Sequence, residues 1–173
     1  IAFPDTVVSL GANVFSQCLS LTSVTFGPNY GASSKLNSMG TQVFQQSTLT
    51  AIVIPPLVST IGLQTFKQCG SLTNVTFAAG SVVHTIQDKA FELCPLLTSF
   101  VLPATVQTIG QYTFGFTGLS SFTFSPGSQL TSIGVNAFYE ATSLTSVNIP
   151  PSVVSIGATA FKKCSSLSSF AVA

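Results

Sequence analysis

His84, Asp88 and Glu92 stand four residues apart in the stretch HTIQDKAFE. On a helix this spacing would line an imidazole and two carboxylates along one face, a row suited to a divalent cation. The segment that holds His84 reads as extended, however, so a continuous helix through all three is not expected and neither is a metal. These residues are the only histidine and two of the four carboxylates in the chain. No nucleophile, base and orienting group can be assembled from so small a set. There is no glycine loop for phosphate and no paired C-x-x-C motif for zinc. The expectation is a protein without catalytic residues, without a cofactor and without a metal.

The composition narrows the partners further. Only 5% of the 173 residues are charged, against about 25% in typical soluble domains. Arginine is absent and the five lysines are nearly balanced by four carboxylates, so the chain has few cations to neutralise phosphates, and neither nucleic acid nor an anionic membrane is an expected partner. No apolar run reaches the roughly 20 residues that span a bilayer as a helix. Apolar residues make up 46% of the chain and include fifteen Phe, ample for a core. Polarity comes mostly from Ser and Thr. A surface so poor in charge is weakly protected against self-association, which fits glycosylation or packing into an assembly. The first residues, IAFPDTVV, begin without Met and have no signal-peptide layout, so the chain reads as a mature or trimmed fragment.

What positions these residues is a repeat. SIGATAFKKCSSLSSF (155–170) nearly copies SIGVNAFYEATSLTSV (132–147) and STIGLQTFKQCGSLTNV (59–75). Anchored on its Phe, the phrase recurs at Phe15, Phe44, Phe66, Phe91, Phe114, Phe138 and Phe161, with spacings of 29, 22, 25, 23, 24 and 23 residues. Eight residues before each anchor stands Val or Leu, from Val7 to Val153, as expected of a position that faces the core in every coil. Four before it stands Gly in every repeat but one, where Gln87 takes its place; that column implies a tight turn or a close backbone approach. After the anchor come a Leu and a period-two stretch such as LTSVTF, LTNVTF, LSSFTF or LTSVNI, which reads as a strand. Pro or Gly then turns the chain. One such unit cannot bury its own apolar side, but stacked copies can, with strands pairing in parallel from coil to coil. The expectation is one solenoid of seven coils over residues 1–173, about 30 Å long at the usual strand spacing.

The pattern L-x-x-V-x-F/I, preceded by IG-x-x-AF-x-x-C-x-x-L, resembles the BspA-like leucine-rich repeats, and the resemblance covers essentially the whole chain. It implies a parallel β-sheet on one face with short strands, turns and short helical turns on the other. It also implies a bacterial or protist surface or secreted setting and a role in adhesion and protein binding. Gln87 and the missing residue before the Leu of repeats two and five depart from the pattern locally.

On this frame the exposed strand positions form an uncharged lattice: Thr22, Ser23 and Thr25; Thr73, Asn74 and Thr76; Ser120, Ser121 and Thr123; Thr145, Ser146 and Asn148; Ser168 and Ser169. The lattice is read either as a recognition face for protein or sugar or as a solvated strand face; ice binding is a remoter alternative. Three residues after the anchors stand Cys18, Ser47, Cys69, Cys94, Thr117, Ala141 and Cys164, a column for small side chains, expected to be buried free thiols where it is Cys. Cys69 and Cys94 fall on adjacent coils, near enough in principle for a disulfide. Lys67 with Glu92, and Glu140 with Lys163, take matching offsets in consecutive repeats and are read as inter-coil ion pairs or as solvated charges. Asn74-Val75-Thr76 is a glycosylation sequon, and a glycan there would obstruct the strand face. The insertion GPNYGASSKLNS (27–38) is either a specificity loop or irregular filler.

The ends lack polar caps, so coverage by a longer chain or by another subunit is expected. Two functions follow. One is a non-enzymatic structural or adhesive module of an extracellular or cell-surface protein, self-assembling into a fibre. The alternative is a receptor-like module that binds a protein or glycan on its strand face. The expected partners are proteins, copies of the chain or the rest of a longer one among them, and glycans.

Overall fold

The computed structural model describes residues 1–27 and 33–172; residues 28–32, within the insertion at 27–38, lie outside the described part. The chain winds as a spring of strands and turns. In chain order the strands are β1 (Ala2–Phe3), β2 (Ser9–Leu10), β3 (Thr25–Phe26), β4 (Ser38–Met39) and β5 (Ala51–Ile54). They continue as β6 (Thr60–Ile61), β7 (Asn74–Phe77), β8 (Thr85–Ile86), β9 (Ser99–Leu102) and β10 (Thr108–Ile109). The last five are β11 (Ser121–Phe124), β12 (Ser132–Ile133), β13 (Ser146–Ile149), β14 (Ser155–Ile156) and β15 (Ser169–Val172). Odd-numbered strands make one wall and even-numbered strands another, all paired in parallel. Register is in phase with the repeat: Ile61 pairs with Ile86, Ile86 with Ile109, Ile109 with Ile133 and Ile133 with Ile156.

The repeated columns point inward as one core. Phe44, Phe66, Phe91, Phe114 and Phe138 are fully buried. From Phe15 to Phe161 the anchor rings stack with centroids 5.0–5.5 Å apart and planes within 5–16° of parallel. Burying one such ring contributes about 2–3 kcal/mol, so the ladder is a main source of cohesion between coils.

The short helical turns implied by the resemblance are not there: no helix occurs among the described residues. The reason lies two residues before and two after each anchor. Both positions have positive φ in all seven coils, from Asn13 and Gln17 to Thr159 and Lys163. A right-handed helix cannot pass through left-handed residues set four positions apart. Instead the anchor segment is bonded from coil to coil. Gln64, Phe66 and Gln68 donate their N–H groups to the carbonyls of Asp88, Ala90 and Glu92 in the next coil, at 2.8–3.1 Å. The same three bonds recur at all six junctions, for example from Tyr112, Phe114 and Phe116 to Val135, Ala137 and Tyr139. These bonds offset the strain of the left-handed residues.

The Gly column marks a close approach rather than a turn. A Cβ built on Gly134 would sit 2.6 Å from both the carbonyl carbon and oxygen of Gly110, and one on Gly157 would sit 2.5 Å from the amide nitrogen of Val135. Successive coils touch backbone to backbone at this column.

Candidate functional site

The odd-numbered wall is interrupted where the even-numbered one is continuous. β6, β8, β10, β12 and β14 form one five-stranded sheet. The longer strands join only in twos: β5 with β7, β9 with β11, and β13 with β15. The turn after each strand explains the grouping. After β5, β9 and β13 the chain turns at once through Pro55-Pro56, Pro103-Ala104 and Pro150-Pro151, behind a fully buried Ile54, Leu102 or Ile149. After β7 and β11 it takes a longer path through Ala78-Ala79-Gly80-Ser81 and Ser125-Pro126-Gly127-Ser128, with Gly80 and Gly127 at φ of 76° and 74°. Here the strand ends on Phe77 or Phe124, both half-buried. A short-turn strand thus pairs with the long-turn strand that follows it, and that strand does not pair with the next.

At the two breaks between the longer strands the wall opens into a cleft, whereas the break between β3 and β5 is spanned by the single bridge of Ser23 with Ala51. The cleft between β7 and β9 has a volume of about 560 Å³, and the one between β11 and β13 about 490 Å³. They are the same feature displaced by 47 residues, two coils along the chain: Thr76, Phe77 and Ser99 line the first where Thr123, Phe124 and Ser146 line the second. Pro103 and Pro150 wall them in turn. No charged side chain lines either cleft.

The strand-face residues chosen from sequence fall into two groups. Thr22, Ser23, Thr25, Thr73, Asn74, Thr76, Ser120, Ser121, Thr123, Thr145, Ser146 and Asn148 are all exposed. Yet Thr73, Ser120 and Thr145 donate their hydroxyls to the carbonyls of Thr50, Thr98 and Ser120 in the preceding coils, and so help to clamp the coils together. Thr76, Thr123 and Ser146 have no protein partner for their hydroxyls among the described residues and lie at the clefts, as does Ser99, which was not among the residues chosen from sequence. Sequence reasoning missed the clefts, although the alternating long and short anchor spacings carried the signal.

The remaining residues have structural surroundings. Lys67 Nζ lies 2.8 Å from Glu92 Oε2, a largely buried charge contact, and Lys163 pairs with Glu140 in a more exposed one. Lys163 also lies over the Tyr139 ring, and Glu140 is the first cause holding its ammonium above the usual range. All four cysteines are free thiols. Cys69, Cys94 and Cys164 donate to the carbonyls of Phe44, Phe66 and Phe138, the anchors of the coils before them. Burial pushes the Cys69 thiol up to about 11 and also raises Cys94 and Cys164. Glu92 is buried while His84 and Asp88 are exposed, and Asp88 accepts a bond from the Gln111 amide. Among the described residues no three such side chains are grouped to hold a metal ion.

A parallel β-solenoid with this phrase in every coil is the architecture of a leucine-rich repeat protein. The model of the BspA type leucine rich repeat region matches residues 1–96 and 84–173, with six copies, and the chain belongs to that family. Three solved structures share the fold. The pneumococcal vaccine antigen PcpA is 18% identical with a TM-score of 0.77, over 99% of this chain and 50% of its own. The T. pallidum leucine rich repeat protein, TpLRR, is 20% identical with a TM-score of 0.59, over 99% and 68%. A leucine-rich repeat protein from Bacteroides ovatus is 23% identical with a TM-score of 0.53, over 100% and 54%. The chain thus spans about half the length of the pneumococcal antigen. No curated protein sequence matches it.

Proposed function

We propose that this chain is a non-enzymatic, adhesive interaction module of an extracellular or cell-surface protein, and that it engages its partner across the odd-numbered strand wall. The observation that carries this reading is the pair of equivalent clefts, rimmed by uncommitted hydroxyls and held by a rigid ladder behind them. Loops and sheet faces on a rigid scaffold are where repeat proteins place recognition. One protein that shares the fold is described as a vaccine antigen, which fits the proposed setting. A glycan on Asn74, at the rim of the first cleft, would block that site and leave the second open.

The test is retention of the purified chain on arrays of neutral glycans and of peptides from extracellular proteins. Thr76→Lys and Thr123→Lys place a charge at each cleft without touching the core. Binding that both changes weaken supports the reading; binding indifferent to both removes it. A second reading, self-assembly into a surface fibre, is favoured by a chain in which only 5% of residues are charged. Electron microscopy of native material tests it: filaments support it and isolated particles end it.

A further inference from the structure

Equivalent clefts two coils apart ask for a ligand with a comparable repeat. The stacked anchors Phe91, Phe114 and Phe138 are 5.4 and 5.3 Å apart from coil to coil, so equivalent points two coils apart are separated by roughly 11 Å along the solenoid axis. A polyproline II helix has three residues per turn at about 3.1 Å each, a repeat of about 9 Å. We infer that the two clefts are successive subsites for an uncharged, proline-rich segment of a partner protein, lying along the solenoid axis in the polyproline II conformation and placing every third residue in a cleft. This deepens, and rests on, the strand-face reading above.

Three observations choose this occupant. The first is charge: neither cleft has a charged lining residue, so a charged ligand would lose its hydration with no partner in return. The second is the floor and wall. Phe77 with Pro103, and Phe124 with Pro150, offer aromatic and pyrrolidine surface of the kind on which proline rings pack. The third is the rim. Thr76, Ser99, Thr123 and Ser146 offer hydroxyl donors with no protein partner among the described residues. A polyproline II backbone makes no internal hydrogen bonds and presents free carbonyls to such donors. An α-helix satisfies its own carbonyls and needs a continuous apolar track. On the β9–β11 pair that separates the clefts, Val101 is the one exposed apolar side chain among exposed Ser99, Ser121 and Thr123, so there is no continuous track. An added β-strand is excluded differently. It would run beside the existing strands, whereas the subsites are arrayed across them.

The two subsites differ at four corresponding lining positions: Val75, Ala78, Val101 and Ala104 in the first against Phe122, Ser125, Asn148 and Pro151 in the second. Val101, 57% exposed, lines the first cleft where Asn148 lines the second. The first therefore favours an apolar residue beside the proline and the second a residue able to hydrogen-bond.

The experiment is calorimetric titration of the chain with capped peptides of the triplet Pro-Gln-Ala. One contains a single triplet and fills one cleft; the other contains two, with prolines about 9 Å apart, and spans both. Linking two subsites raises the effective concentration at the second, so the longer peptide is expected to bind at least about tenfold more tightly. Thr76→Lys or Thr123→Lys alone should bring the longer peptide to the affinity of the shorter, and the double variant should abolish binding, with thermal midpoints unchanged as the check on folding. A control peptide of the longer length with alternating Pro and Gln, its prolines out of register, should bind more weakly. Equal affinity for the two lengths, no heat from the longer peptide at millimolar concentration, or binding that survives the double variant would overturn the inference. If the peptides fail while a neutral oligosaccharide or a helical peptide on the arrays binds in a manner sensitive to Thr76→Lys and Thr123→Lys, this inference falls and the strand-face reading stands. If nothing is sensitive to those changes, both fall.

Discussion

The anchor edge and the longer-strand wall are built from the same coils but keep different periods. Along the anchor edge every junction is alike: one stacked Phe pair and three backbone hydrogen bonds, repeated six times. Along the wall the junctions alternate, with a paired ladder across β5 and β7 and an open cleft between β7 and β9. The difference assigns separate tasks. Cohesion is concentrated on an edge with a one-coil period, which leaves the wall able to give up every second pairing and expose a site. A solenoid whose stability depended equally on all its faces could not open one of them without losing register between coils.

The largest expected effect breaks the continuous edge. Phe91 is fully buried, stacks on Phe66 and Phe114, and meets Phe100 edge to face. Phe91→Ala should cost about 4 kcal/mol, as other buried Phe truncations do. Phe77→Ala, at the floor of a cleft and half-buried, should cost about 1–2 kcal/mol, since less surface is lost from the core. Chemical denaturation of both variants gives the contrast directly. Equal losses would show that the wall contributes as much cohesion as the edge.

Next in size is the close approach of coils. Gly134→Ala must push the Gly110 backbone away from a Cβ that would sit 2.6 Å from it, at a cost of about 2–3 kcal/mol. Gly70→Ala is the control, because a Cβ there meets nothing within 4 Å and the change should be close to neutral. The two thermal midpoints, measured side by side, test whether the glycines of the IG pair are spacers between coils.

A third prediction concerns Cys69, whose thiol ties its own coil to the Phe44 carbonyl in the coil before. Cys69 is raised from 9.0 to about 11, chiefly by burial, so the folded state holds its proton more tightly than the unfolded chain does. Its contribution is complete below pH 9 and is lost as pH rises toward 11, a loss of about 2–3 kcal/mol once both states are deprotonated. Denaturation curves between pH 8 and 11 should show this decline. Cys69→Ala should make it shallower, with the raised thiols of Cys94 and Cys164 left to supply the remainder. A decline of the same steepness in the variant would place the titrating group elsewhere.

Much of this architecture was legible because identical residues recur at identical offsets. The Phe anchors, the aliphatic column eight residues earlier and the Gly column each announced an inward or close-packed position, and the structure buries or packs them accordingly. Two features were not read. The alternation of turns lay in the spacings 29, 22, 25, 23, 24 and 23, which a single averaged period conceals. The left-handed pairs had no sequence signal at all. Gln, Lys, Tyr, Phe and Leu occupy them as well as Asn, and none of the fourteen is Gly. In the first six coils hydrogen bonds to the next coil hold this conformation, while Thr159 and Lys163 keep it in the seventh with no such bond among the described residues, so it follows the shape of the stacked coil rather than local preference. Of the candidate site, the exposed hydroxyls were identifiable by alternation. Which of them clamp coils and which line clefts depends on strand pairing, and no single repeat encodes that.

The smallest effect probes those left-handed positions where their residue type is least suited. Thr159 holds φ at 58° with a branched Cβ, a combination that costs more than it would for Asn or Gly. Its counterpart Asn136, one coil earlier, has a φ of 56° and donates its N–H to Ala158. Thr159→Asn should therefore stabilise the chain by about 0.5–1 kcal/mol, whereas Asn136→Thr should destabilise it by a similar amount. Thr159 also donates its hydroxyl to Asn136 Oδ1, and losing that exposed bond reduces the gain without reversing it. Opposite signs for the two substitutions would show that conformational strain is carried at each left-handed site separately. Equal losses would mean that the side-chain contacts between coils outweigh the backbone cost, and the anchor edge would then owe its regularity to those contacts rather than to its ladder.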